Sequence, residues 1–407
     1  MGSYDWVKRI NYLGDAVDGM DYLAEINPDQ LIYQAMKSTG LENFGDDEWR
    51  TSYAELIKDL NSKKNAYLLG RLINKASLLI ALRNRLLLVE TLSRQPLVIN
   101  ETINGPLIVT GLPRTGTTIL YELLCQDHIN RSPKGYEAYF PTQSAAIDDI
   151  KNSDARIISE CMFELTMDIE PEIKVTHDNR ADLPAECWMI ISNVLGNPRP
   201  TFYDKRDYNS RLSGINSQYN YAWHEKVLKL LQFQKPTIRW LLKCPSHMYF
   251  MKDLFERYPK AKVIHMHRNP VSSIPSLLNH LKCFDNLDQK YNPKKNHRSV
   301  LALMEESLRI NISERKNGIL PENQIADIYF DDLMHNPTDT ISKAYEKLNL
   351  EWSSKFEEGI LNYLSNRPRE KHGKHIYTAS DFSLCNEEIR EQFSFYTDHY
   401  NIDTENY

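Results

Sequence analysis

No apolar run in this chain approaches the ~20 residues that a helix needs to cross a bilayer. One of the longer runs, Ser77–Leu82 (SLLIAL), is cut off by Arg83 and Arg85, the mark of an amphipathic helix. The opening MGSYDWVKRI has no apolar leader core, and Trp6 breaks the myristoylation pattern. A cytoplasmic enzyme with no membrane span is the expectation. Excess positive charge is missing as well: 49 Lys and Arg against 55 Asp and Glu leave a net charge of -6. That argues against general nucleic-acid binding, so an anionic ligand must be held by a local basic pocket. The six cysteines (Cys125, Cys161, Cys187, Cys244, Cys283, Cys385) show no C-x-x-C spacing, against both a zinc site and a disulfide scaffold. No metal is expected. What is present is a 407-residue chain, 41% hydrophobic, enough for one large core or two ordinary ones.

Residues 1–104 are rich in helix formers. Leu68, Leu69, Leu72, Ile73 and Ala76 recur at helical spacing, and Ser38–Trp49 reads as a turn with its own glycines. This region is expected to be helical and packed on the core. From residue 105 the pattern changes. PLIVTG is a short apolar run ending in glycine, which suits a buried parallel strand. Ile119, Leu120, Leu123 and Leu124 then mark one face of a helix. The unit repeats with a strand over residues 239–242, then Met251, Leu254, Phe255 and Tyr258 at helical spacing. It repeats again with AKVIHMH, then Ile274, Leu277, Leu278 and Leu281. Residues 323–333 offer a fourth strand. The predicted fold class is α/β, a P-loop-type doubly wound parallel sheet flanked by helices, over residues 105–407. Residues 133–238 are expected to cover the acceptor site, with RDYNSRLSGINSQYNYAW (206–223) as a lid. No internal repeat or low-complexity tract interrupts the chain.

In such sheets ligands bind beyond the carboxyl ends of the strands, where the chemical motifs of this chain should converge. The first is VTGLPRTGTT. Gly111 and Gly116 keep the glycine spacing of a phosphate-binding loop, but Thr117 stands where a Walker lysine would be, and Arg114 is the loop's one charge. Backbone N–H groups, the following helix N-terminus, the hydroxyls of Thr117 and Thr118 and a bidentate Arg114 can hold an oxyanion. The glycines could equally serve the turn alone. The strands RWLLK and VIHMHR end in bases, not in a magnesium-holding aspartate, so a group with less charge than a γ-phosphate, such as a sulfuryl group, fits better. The second motif is HMHRNPVSSIPS, where Arg268 with Ser272, Ser273 and Ser276 makes another anion site at a helix start. A plain surface arginine and capping serines would read the same way. The third is RPREKHGKHIY, a basic turn around Gly373, able to wrap a phosphate or simply to face solvent.

Together these stretches resemble the sulfotransferases that use 3′-phosphoadenosine 5′-phosphosulfate, in the branch whose loop reads G-x-P-R-[ST]-G-T-T. TGLENFGDDEW and HDNRADLPAE are similar to that branch too, so the resemblance runs from about residue 35 to the C-terminus. It implies that Gly111, Pro113, Arg114, Thr115, Gly116, Thr117 and Thr118 hold the 5′-phosphosulfate. Arg268 and Ser276 would hold the 3′-phosphate, and Lys371, His372, Gly373 and Lys374 would close over it within the turn 367–377. Lys243, at a strand end, would contact the moving sulfuryl oxygens. Arg114 would stabilise the leaving group by charge and hydrogen bonds, since a guanidinium does not give up its proton. The general base is open among His247, His177 and Glu186. The cytosolic branch has its histidine two residues after the lysine, where this chain has Pro245. His247 should sit at a helix N-terminus, which would lower its pKa, and His265 and His267 read as structural.

The expected reaction is in-line transfer to a small hydroxylated acceptor, releasing adenosine 3′,5′-bisphosphate. The competing expectations are a P-loop kinase or NTPase with a degenerate loop, and a non-catalytic nucleotide-binding protein on the same fold. Tyr136, Tyr139, Phe140, Phe202, Tyr203, Tyr219, Tyr221 and Trp223 would suit an apolar or aromatic acceptor.

Overall fold

The computed structural model describes residues 4–17, 20–63, 66–144, 153–176, 179–195, 216–288, 297–366 and 378–403. Among these, β1 (Leu107–Gly111), β2 (Asn130–Arg131), β3 (Arg239–Lys243), β4 (Lys262–His267) and β5 (Ile325–Tyr329) form one sheet. Its order is β2-β3-β1-β4-β5, and every neighbouring pair is parallel. β1 is buried at every position, as continuous apolar runs are when helices cover both faces. β5 alternates more, with Asp327 and Tyr329 half-buried, as an edge strand does. From central β1 the chain passes to edge strand β2, returns to β3 beside β1, and then crosses to β4 and β5 on the other side, so the crevice expected of a doubly wound sheet opens at the carboxyl ends of β3, β1 and β4.

One core layer places the helix Thr117–Leu124 against β1 and β4 through Leu120, Leu123, Val109 and Ile264. On the other face, Trp223, Val227, Leu228 and Leu231 of the helix Ser217–Gln234 pack with Ile108, Leu242 and Val263. The helices Asp5–Ala16, Pro28–Thr39, Trp49–Ser62 and Leu68–Arg94 precede the sheet. Gly40, in the left-handed region at φ 70°, caps Pro28–Thr39 and begins the turn expected there. Buried Arg85 of Leu68–Arg94 donates to Phe44 O, Val194 O and Asp46 and stacks on Trp223. That arginine ties the N-terminal helices to the segment after Cys187–Ser192.

Three local expectations change. The run 323–333 is strand only to Tyr329, because Phe330–His335 turns helical with Asp331 and Asp332 in its first turn, where acidic groups favour a helix start. The lid expected over 206–223 is, from Ser217 onward, the start of a long helix whose Tyr221 and Trp223 are buried. The two-residue β2 has no signature that periodicity could detect. No helix of the described residues is long and apolar enough to cross a membrane.

Candidate active site

Tight packing explains the two glycines of the loop after β1. A Cβ on Gly111 (φ 143°) would lie 2.5 Å from Met266 O, and one on Gly116 (φ 94°) would lie 2.6 Å from the Phe330 ring. Between them Arg114 also takes a left-handed backbone, φ 69°. Thr115 is fully buried, and both its amide and its hydroxyl donate to Leu112 O, so it closes the turn and offers no donor to a ligand. Pro113 is half-buried. The helix Thr117–Leu124 has Gly116 as its N-cap. With no side chain there to accept from them, the first-turn amides are left for water or a ligand.

The second motif comes to the same place. Arg114 Nε donates to Ser276 Oγ at 3.1 Å, and Arg268 Nη1 donates to Arg114 O at 3.0 Å. The Arg268 guanidinium lies 4.0 Å from the centre of the Phe330 ring. Asn269 accepts from the amide of Val271 and so starts the helix Pro270–Asp288 that carries Ser276.

Next to the loop, Lys243 Nζ at the end of β3 donates to Thr118 Oγ1 at 3.2 Å and to the carboxylate of Glu186. Lys243 is 2% exposed and Glu186 8%. Glu186 is the N-cap residue of the helix Cys187–Ser192. Loop, cation and carboxylate therefore meet within hydrogen-bond reach.

Residues 106–354 match the model of the Sulfotransferase family. The chain belongs to this family.

Among relatives, the omega-hydroxy-beta-dihydromenaquinone-9 sulfotransferases Stf3 of Mycobacterium bovis and Mycobacterium tuberculosis are each 22% identical over 320 residues. The match covers 72% of this chain and 77% of theirs. Two crystal structures share the fold. Sulfotransferase STF9 from Mycobacterium avium superposes with a TM-score of 0.79 at 23% identity, over 94% of this chain and 98% of that one. STF1 from Mycobacterium tuberculosis gives 0.76 at 22% identity, over 91% and 99%. Sulfuryl transfer is thus the reaction class of this sulfotransferase, and the α/β sheet read from its sequence is the family's fold.

Not every residue singled out in the sequence lies where expected. His247 lies in the 3₁₀ turn Pro245–Phe250, not at the start of an α-helix. Burial pushes its pKa down to about 4, with Glu186 opposing that shift. Its Nδ1 is 2.9 Å from the hydroxyl of Tyr221, and its buried Nε2 has no hydrogen-bond partner. Beneath it His224, depressed to about 3 by burial and then by His247, pairs with Tyr258. His265 and His267 lie with Asp327 in a buried network. His267 bonds Tyr396 and Asp327, while Arg315 takes both oxygens of that carboxylate. Burial raises the Asp327 pKa, but the hydrogen bonds from Arg315 and His267 outweigh it and hold the group ionised. With Arg315 on its carboxylate the cluster is an ion-pair network already provided with a cation. Of the aromatic residues expected to face an acceptor, Tyr136, Phe140, Tyr221 and Trp223 are buried, and Phe202 and Tyr203 lie outside the described residues. So do His177 and the Lys371, His372, Gly373, Lys374 turn.

Sequence reasoning missed Phe330, which wedges between Gly116 and Arg268. Its one signal was a position just past an apolar strand. It also missed Tyr221 as the partner of His247.

Proposed function

We propose that this protein moves a sulfuryl group from 3′-phosphoadenosine 5′-phosphosulfate to the hydroxyl of a small apolar acceptor, releasing adenosine 3′,5′-bisphosphate. The bridging position of Lys243, between Thr118 of the loop and Glu186, carries this reading. It puts a cation and a proton acceptor beside the same anion-binding turn. The residues fit the donor: a glycine-capped helix N-terminus, Arg114, and Arg268 with Ser276 directly beside them.

When bound, the donor supplies the transferable sulfuryl group. The first-turn amides at Thr117 and Thr118, with Arg114, stabilise charge on the leaving phosphate. Arg268 and Ser276 hold the 3′-phosphate and so set the donor's register. Lys243 receives the sulfuryl oxygens. Glu186 takes the proton of the acceptor hydroxyl. Two observations favour it over His247: its carboxylate already touches Lys243, whereas one His247 nitrogen faces Tyr221 and the other is shut off in the core. The relatives named for a hydroxylated menaquinone derivative support an apolar acceptor bearing a hydroxyl.

The test pairs binding with turnover. Adenosine 3′,5′-bisphosphate at ~100 times its Kd should stabilise the protein by about 2.7 kcal/mol, and Mg-ATP should not. Label from the sulfate donor should then appear in a hydroxylated acceptor. Stabilisation by Mg-ATP alone would overturn the assignment in favour of phosphoryl transfer.

A further inference from the structure

A cavity of about 80 Å³ lies between the N-terminal helices and the helix Cys187–Ser192, lined by Leu56, Leu78, Ala81, Trp188, Met189 and Leu195 among others. Its lining includes no charged side chain; neutral polar groups come from Asn74, Ser77, Tyr139, Ser192 and Asn193, and the rest is mainly aliphatic. A nucleotide or other ion has nothing to pair with there; a neutral apolar ligand does. At roughly 10–15 Å³ per water-sized sphere, the space suits a slim chain and not a fused ring system.

Its position relates it to the chemistry. Trp188, Met189 and Ser192 lie on the helix that Glu186 caps. At ~1.5 Å rise per residue, the six steps from Glu186 to Ser192 span about 9 Å. The far wall ends at Leu195, a buried leucine held at φ 55°. Left-handed backbone at a bulky residue is strained and concentrates at ligand sites. Arg85 clamps this corner through Val194 O.

We propose that this cavity receives the apolar tail of the acceptor, whose hydroxyl end then lies at Glu186. The proposal rests on the sulfotransferase reading with Glu186 as proton acceptor. The occupant is a neutral, slim, straight-chain alcohol or a molecule ending in one.

The experiment uses the full chain, the sulfate donor and a homologous series of straight-chain primary alcohols. While the cavity fills, kcat/KM should rise about fourfold per added methylene, the equivalent of ~0.8 kcal/mol each, and then level off. Ala81→Leu should move that plateau to shorter alcohols, and Met189→Ala should move it to longer ones. Loss of fold in either variant would not shift the preference in opposite directions. A second readout needs no turnover: long alcohols should change tryptophan emission, and Trp188→Phe should remove most of that change. Transfer that proceeds with no dependence on chain length would overturn the cavity assignment and leave the sulfotransferase reading intact. Failure of transfer to every alcohol, with the Trp188 response preserved, would overturn the reaction assignment for these acceptors and keep the apolar site. Absence of both would overturn the proposal.

Discussion

Lys243→Met, which removes the cation while keeping most of the side-chain volume, probes the site where charge is most deeply buried. With Lys243 at 2% and Glu186 at 8% exposure, the surviving carboxylate stays out of water without its partner. At a separation of ~3 Å and an effective dielectric of ~20, the lost attraction is about 5 kcal/mol. Breaking a buried pair from one side destabilises by about 3–5 kcal/mol. Lys243→Met combined with Glu186→Gln leaves no uncompensated charge, so the double variant should be more stable than Lys243→Met alone, with a coupling of about 2 kcal/mol or more. Urea midpoints of the four proteins, taken with unchanged m-values, give that coupling. The same proteins report the chemistry. Glu186→Gln should lower turnover by at least about 100-fold, the scale of a lost general base, with affinity for adenosine 3′,5′-bisphosphate retained. Stabilities that add to within ~0.5 kcal/mol would refute the buried pairing. Near-normal turnover in Glu186→Gln would return the base to His247 or His177.

Two further predictions follow from the neighbouring groups. Arg268→Ala removes a guanidinium that touches the Arg114 carbonyl and the Phe330 ring. Affinity for the bisphosphate should drop about 10- to 100-fold, the equivalent of ~1.5–3 kcal/mol for a charged hydrogen bond. Unchanged affinity by calorimetry would remove the 3′-phosphate role. The buried histidines make the fold acid-sensitive. His247 near pKa 4 and His224 near 3 stay neutral in the core among Tyr221, Tyr258 and Glu186, whereas in the unfolded chain they protonate below ~6.5. Stability therefore falls as pH drops from ~6.5 toward ~4, by about 2 kcal/mol per histidine between pH 7 and 5. His247→Phe should lose about 2 kcal/mol less than the parent over that interval. An equal loss in both proteins would contradict its burial as a neutral group.

The sequence alone determined the βα units, the buried strands and the strand-end positions of Arg114, Lys243 and Arg268. These are local properties. A strand covered on both faces is a continuous apolar run, and a helix writes its period within a dozen residues. Where local signals were brief or overlapping, the reading failed. Two residues of β2 carry no period, the helix Phe330–His335 hid behind an apolar strand, and the start of Ser217–Gln234 is polar enough to read as a loop. Only the tertiary structure decided which distant residues meet: Glu186 with Lys243 across 57 positions and Arg114 with Ser276 across 162. It also sent His247 into the core and brought Glu186 to the loop. Such choices depend on strand order and on which side chains can share a dry interior. Those terms arise between segments, and no window along the chain contains them.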